Sequence, residues 1–200
     1  MRRRTAALLG LLVVTLLSVT GCSMMKPEDF EGREPRFVLE EYFAGKTKAW
    51  GIFQDRFGTL RRQFTVDITG DWDGRTLTLV EDFVYEDGET ERRTWVIEKI
   101  DEHTYEGRSE DGVIGTALMK AYGNAVNFAY DFDLKMQERT LRVRFEDWMF
   151  LQDDEVMINR ATVSKFGIRL GSATIVFRRQ PSEAERAQSG EEDDSVLAAQ

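Results

Sequence analysis

The chain has 200 residues, 42% of them hydrophobic and 32% charged, and a formal net charge of −9. That length is a soft prior for one domain, and the acidic balance excludes a nucleic-acid binder working through a basic surface. One cysteine and one histidine exclude an internal disulfide and a His/Cys zinc cluster.

Arg2, Arg3 and Arg4 open the chain; an apolar run from Ala6 to Val19 follows, then Thr20, Gly21 and the lone Cys22. A basic start, a short apolar stretch and a small-residue exit make a secretory signal. The run falls short of the roughly 20 apolar residues that a spanning helix needs. Val19-Thr20-Gly21-Cys22 resembles a bacterial lipobox. The resemblance implies cleavage before Cys22 and a diacylglycerol on its thiol, which anchors the chain to a membrane. Ser23 follows the cysteine; in similar lipoproteins a residue other than Asp there favours the outer membrane over retention at the inner one. The expected address is therefore the bacterial envelope, on the inner leaflet of the outer membrane facing the periplasm. Loss of residues 1–21 takes three arginines and no acid from a net charge of −9, leaving −12. The membrane contact is then expected through the lipid.

Four segments are expected. Residues 1–21 are the signal. Residues 22–35 are a lipidated tether in which Pro27 and Pro35 oppose helix. Residues 36–180 are a folded domain, and 181–200 a disordered acidic tail. The tail sets Glu183, Glu185, Glu191, Glu192, Asp193 and Asp194 against Arg186 and has no aromatic residue, so it buries too little to order itself.

The domain holds all 4 Trp and all 5 Tyr, and no proline. Its pattern has period two. Phe128, Tyr130, Phe132, Leu134 and Met136 alternate with Ala129, Asp131, Asp133 and Lys135, which predicts a strand with one dry face. Phe64, Val66 and Ile68, then Leu77 and Leu79, Trp95 and Ile97, and Leu141, Val143 and Phe145 repeat the pattern. Strands are predicted near 37–43, 49–57, 60–70, 75–85, 89–99, 103–108, 112–120, 126–136, 139–150, 155–164 and 168–178, with some merging. Residues 115–124 are the one plausible short helix. Asp73-Gly74 and Asp87-Gly88 predict two-residue hairpin turns in which both central residues take positive φ. Successive hairpins predict an all-β antiparallel meander, closed into a lipocalin-like or calycin-like barrel of about 9–10 strands. A two-sheet sandwich is the alternative.

Thr76 to Phe83 (TLTLVEDF) is echoed by Thr140 to Trp148 (TLRVRFEDW), with one residue more in the second copy. A β-bulge near Phe145 would absorb that residue. Without it, Glu81 shares a face with Leu77, Leu79 and Phe83, and Asp147 with Val143, Phe145 and Met149. Each strand would then turn a carboxylate toward the apolar side, which is costly without a partner. Arg142, Arg144 and Arg160 are candidate cations, and Asn159 a neutral donor. Glu81, Asp82, Arg142, Arg144, Glu146, Asp147, Asn159 and Arg160 form the candidate ligand-binding set; a structural ion pair is the competing reading.

The lipobox, residues 37–53 (FVLEEYFAGKTKAWGIF), Val80 to Phe83, Glu146 to Phe150 and Asn159 to Gly167 (NRATVSKFG) together resemble an uncharacterised family of proteobacterial lipoproteins, domain of unknown function 3833. The resemblance implies an envelope lipoprotein and no particular activity. No metal or cofactor is expected: His103 reads as a surface residue, and neither a phosphate loop nor a Ser-His-Asp set is present. Three functions stay open. A barrel could carry a small amphiphile such as a lipid. An outer face with Trp50, Trp72 or Trp148 could dock an envelope partner that the sequence does not name. Glu81 and Asp82 with Glu146 and Asp147 could form a hydrolase cleft.

Overall fold

The computed structural model describes residues 25–136 and 139–181. The signal, Cys22 and residues 182–200 lie outside them.

Ten strands follow one another: β1 (Gly45–Asp55), β2 (Leu60–Trp72), β3 (Thr76–Tyr85), β4 (Thr90–Lys99), β5 (Thr104–Arg108), β6 (Val113–Tyr122), β7 (Ala125–Met136), β8 (Arg139–Leu151), β9 (Val156–Lys165) and β10 (Ile168–Gln180). Each pairs antiparallel with its neighbours, and β1 pairs with β10 from Lys46↔Gln180 to Asp55↔Gly171, closing the barrel. Closure satisfies both edges, so the sandwich alternative falls away. The predicted short helix over 115–124 is the strand β6.

The strand predicted at 37–43 is a helix, α1 (Leu39–Phe43). Its buried Leu39, Tyr42 and Phe43 stand at i, i+3 and i+4, the spacing of one helical face. This turn crosses one end of the barrel. Its Phe43 ring meets Phe177 of β10 edge-on at 6.1 Å. The Tyr42 hydroxyl donates to the Glu155 carbonyl in the β8–β9 loop at 2.9 Å. Glu40, 8% exposed, pairs with Lys99 and accepts from the Tyr105 hydroxyl at 2.8 Å. Gly70 of β2 makes the seat, since a Cβ there would strike the Phe43 carbonyl. One end of the barrel is thus closed, and the opposite end is ringed by the loops after β1, β3, β5 and β9.

The hairpins differ from the sequence reading. At Asp87-Gly88 only the glycine takes positive φ, +85°. Gly88 N donates to Tyr85 O and Tyr85 N to Glu89 O, which is a three-residue loop rather than a two-residue turn. At Asp73-Gly74 the glycine alone is positive again, while the Asp73 carboxylate accepts from Arg75 N and Thr76 N. Two consecutive positive φ values occur instead at Phe166 (+50°) and Gly167 (+76°).

The segment read as a tether rests on the wall. Pro27–Phe30 form a 3-10 turn, and the buried Phe30 lies 5.7 Å from Trp148 and 5.5 Å from Phe150, ring centre to ring centre. Phe30 and Phe150 cover Trp148, and Trp72 is half-buried, so the three tryptophans form no common exposed patch; Trp50 stands alone, 45% exposed.

Candidate functional site: a polar cluster in a hollow barrel

The register of β7 on β8 and of β8 on β9 runs without a shift, so no bulge stands near Phe145. The extra residue of the second echo therefore reverses its phase. From the Glu-Asp pair of β3, Glu81 faces the lumen and Asp82 faces out. From that of β8, Asp147 faces the lumen and Glu146 faces out.

Alternation decides the other candidates in the same way. Arg142 and Arg144, considered as partners for the interior acids, stand on the outer wall. Arg142 makes a two-pronged bond to Asp133 at 2.7 and 2.8 Å, and Arg144 lies 3.4 Å from Asp131. Asp82 is held outside in the same manner by Arg92. Arg160 is exposed opposite Trp148. Of the eight residues, Glu81, Asp147 and Asn159 line the lumen, so the four-carboxylate cleft does not form.

The lumen is hollow, with a volume of about 1010 Å³. Its floor includes Leu39 and Phe43 of α1, and its walls include Val66, Ile68, Leu79, Trp95, Phe128, Val163 and Phe177. It reaches the open end beside Glu89, Thr90, Glu110 and Asp111. This is the size and the apolar character of a small-molecule site.

The cation inside is Arg93 of β4, directly opposite Glu81 in the ladder. Its Nη2 donates to Glu91 Oε1 at 2.8 Å, and its guanidinium lies over the rings of Phe132 (4.8 Å) and Phe83 (5.1 Å). The Tyr85 hydroxyl donates to the other Glu91 oxygen at 2.9 Å. Burial pushes Glu91 up, but Arg93 and these bonds hold it below its usual value. Arg62 stacks 3.6 Å over Tyr85 and bonds Glu89 at 2.7 Å toward the mouth. Carrying the phase of Trp95 and Ile97 back along β4 assigns Arg93 and Glu91 to the inside; that signal was present in the sequence.

β3 and β8 stand on opposite walls, so Glu81 and Asp147 enter from opposite sides. Burial is the main cause that pushes Glu81 up to about 7; Arg93 opposes it, and the charges of Glu91 and Asp147 add to it. Glu81 is half-buried because it borders the lumen, whose apolar walls limit the water that can screen it. Asp147 is 4% exposed and is likewise pushed up to about 7 by burial, against the hydrogen bond from Asn159 Nδ2 to its Oδ1 at 2.8 Å. Burial and the Asp147 charge raise the Tyr130 hydroxyl well above its usual value.

Three atoms of this cluster are buried without a hydrogen-bond partner: Asp147 Oδ2, Asn159 Oδ1 and Arg93 Nε. Such atoms cost about 1–3 kcal/mol each when left unpaired. No group of three or more His, Cys, Asp or Glu among the described residues is placed to hold a metal. His103 lies away from the lumen; it stacks on Tyr122 at 4.2 Å, and its Nδ1 is 2.8 Å from the Ala121 carbonyl.

Fold and lumen together define a closed ten-stranded up-and-down barrel of the lipocalin-like, calycin-like type. The sequence model of the family described as Protein of unknown function (DUF3833) matches residues 16–179, and the chain belongs to that family. No curated protein matches the sequence. Among solved structures, the S-type phycobiliprotein lyase from Guillardia theta is similar at a TM-score of 0.52 and 14% identity, over 80% of this chain and 100% of its own. A protein of unknown function from the DUF3598 family of Nostoc punctiforme matches at a TM-score of 0.50 and 9% identity, over 74% of this chain and 51% of its own. At these identities the likeness is one of fold.

Proposed function

We propose that the protein is an envelope lipoprotein that holds a small amphiphile in its barrel, apolar portion against the walls and polar head at the Glu81–Arg93–Asp147 cluster. The observation that supports this most is the unpaired set of Asp147 Oδ2, Asn159 Oδ1 and Arg93 Nε beside an apolar space of about 1010 Å³. Their chemistry narrows the head group. Two acceptors and one donor await partners, and the lumen-lining Glu81, Glu91 and Asp147 stand against Arg93, with Arg62 nearer the mouth. A head that donates hydrogen bonds, neutral or cationic, suits the two acceptors and would also draw Glu81 and Asp147, both raised to about 7, toward their ionised forms.

The anchor belongs to the same reading. Cys22, acylated, would fix the chain to the outer membrane, and Cys22→Ser expressed in a bacterial envelope should be washed from the membrane fraction by high salt, whereas the parent should stay.

The test of the lumen uses Ala161 and Ala173, which are buried, line the space and pair across β9 and β10. Ala161→Trp and Ala173→Trp each push an indole into it. Nile red, an uncharged apolar dye, should bind the parent chain and brighten. Both variants should lose that signal while keeping the strand-type circular dichroism. Equal dye binding by parent and variants would place the dye outside the lumen and remove this reading.

A further inference from the structure

The open end of the barrel carries two neighbouring lips that folding does not explain. The β1–β2 loop presents Phe57, 78% exposed, with Leu60 beside it. The β9–β10 turn presents Phe166, 91% exposed, with Ile168 beside it. Because β1 pairs with β10, these lips lie side by side. Phe166 also sits at φ +50°, where a bulky side chain is a rarity and Gly, Asn or Asp are at home. An exposed aromatic ring in a strained turn adds little within the chain beyond a surface contact with Lys165, and broken local rules of this kind mark sites under another constraint.

The charges around the lips differ from those of the rest of the rim. Arg56 lies 4.7 Å over the Phe57 ring, and Lys165 5.2 Å over the Phe166 ring. Arg169 stands next to Ile168 and donates to Ser172 Oγ at 3.0 Å. No salt bridge holds Arg56, Lys165 or Arg169 among the described residues, whereas Arg61 is held by Asp55. Farther round the mouth, the loops after β3 and β5 carry Glu86, Asp87, Glu89, Glu110 and Asp111. Lys165 Nζ donates to the Arg142 carbonyl at 3.2 Å. In a chain of net charge −9, three cations with no carboxylate partner thus flank the two exposed rings, and the acids other than Asp55 gather on other loops.

We propose that the Phe57 and Phe166 lips insert into the headgroup layer of an anionic lipid bilayer. Phenylalanine rings then enter the acyl boundary, and Arg56, Lys165 and Arg169 meet lipid phosphates, the arrangement that holds interfacial segments at a membrane. The acidic loops are repelled, so the barrel leans and its mouth opens along the bilayer surface. This contact is separate from any lipid on Cys22. Phe30 fixes the start of the described chain to Trp148 and Phe150, which pair with strand ends at the plugged end, away from the lips. It also stands whether or not the lumen carries a ligand.

The test uses the chain from Ser23 onward, which contains every strand, the plug and the whole buried core and has no Cys22. It should co-sediment with vesicles of phosphatidylglycerol, and more weakly with vesicles of phosphatidylcholine or at high salt. Phe57→Asp with Phe166→Asp should cut partitioning roughly tenfold or more. Ile100→Asp, an exposed apolar position at the plugged end, should leave it unchanged. Aspartate accepts the Phe166 backbone, so the double variant should melt no lower than the parent. Phe166→Trp gives an independent readout, a blue-shifted emission on adding phosphatidylglycerol vesicles. Failure of the parent to sediment, or equal sedimentation by the double variant, would overturn the proposal. So would an unshifted tryptophan, or capture by a protein with no vesicle binding.

Discussion

Asp147→Asn should make the protein more stable, and only above mildly acidic pH. Folding moves this carboxyl from 3.8 to about 7. The sign follows from which state holds the proton. Below about pH 4 both states are protonated and the group contributes nothing. From there to about 7 the folded state keeps a proton that the unfolded state has released, so stability falls as pH rises; above 7 the loss is complete. A shift of that size corresponds to at most about 4 kcal/mol, an upper limit because the interior relaxes around the charge. Asparagine keeps an oxygen for Asn159 Nδ2 and never ionises. In urea unfolding of the ligand-free chain, the variant should match the parent near pH 4 and exceed it by up to about 4 kcal/mol at pH 8. In a domain of this size that is on the order of 10 °C in Tm. Glu81→Gln should behave alike. The double variant should gain less than the two singles together, because the Asp147 charge is one of the causes that raise Glu81. A gain that does not change with pH, or a variant less stable at pH 8, would refute the reasoning.

Arg93→Met should destabilise by about 3 kcal/mol at pH 7 in denaturant unfolding, since it strands Glu91 and Glu81 without their interior cation. Raising the pH above 7 should deepen that loss, as Glu81, already raised to about 7 with Arg93 present, ionises without its cation. Gly70→Val should push α1 off its seat, cost about 1–3 kcal/mol and speed amide exchange across residues 39–43.

The barrel was legible in the sequence because one physical rule, alternation, runs through nearly every element. Phe128, Tyr130 and Phe132 alternate without interruption, and all three are buried. The same rule, applied without a bulge, turns Glu81 and Asp147 inward. It went unused on β4, where Arg93 and Glu91 share the face of Trp95 and Ile97. Arg142, Arg144 and Arg160, the candidate cations by composition, fall by the same rule on the outer wall. α1 was hidden because five residues are too few to display a helical period beside strand-like aromatics. The hairpins misled because Asp-Gly suits a three-residue loop as well as a two-residue turn, and the choice rests on strand register, which only pairing fixes. The lumen was beyond the sequence altogether. Whether ten strands enclose a packed core or a void depends on how far large side chains reach across it, and small residues such as Ala161 and Ala173 leave the space open.

Native mass spectrometry of the chain purified gently from its native source addresses the hollow barrel most directly. A second species, heavier by one small organic molecule and stripped to the bare mass by collisional activation, is the predicted result; the released compound should pair an apolar chain with a neutral or amine-bearing head. The bare mass alone, together with no uptake of added single-chain amines or alcohols, would contradict the account.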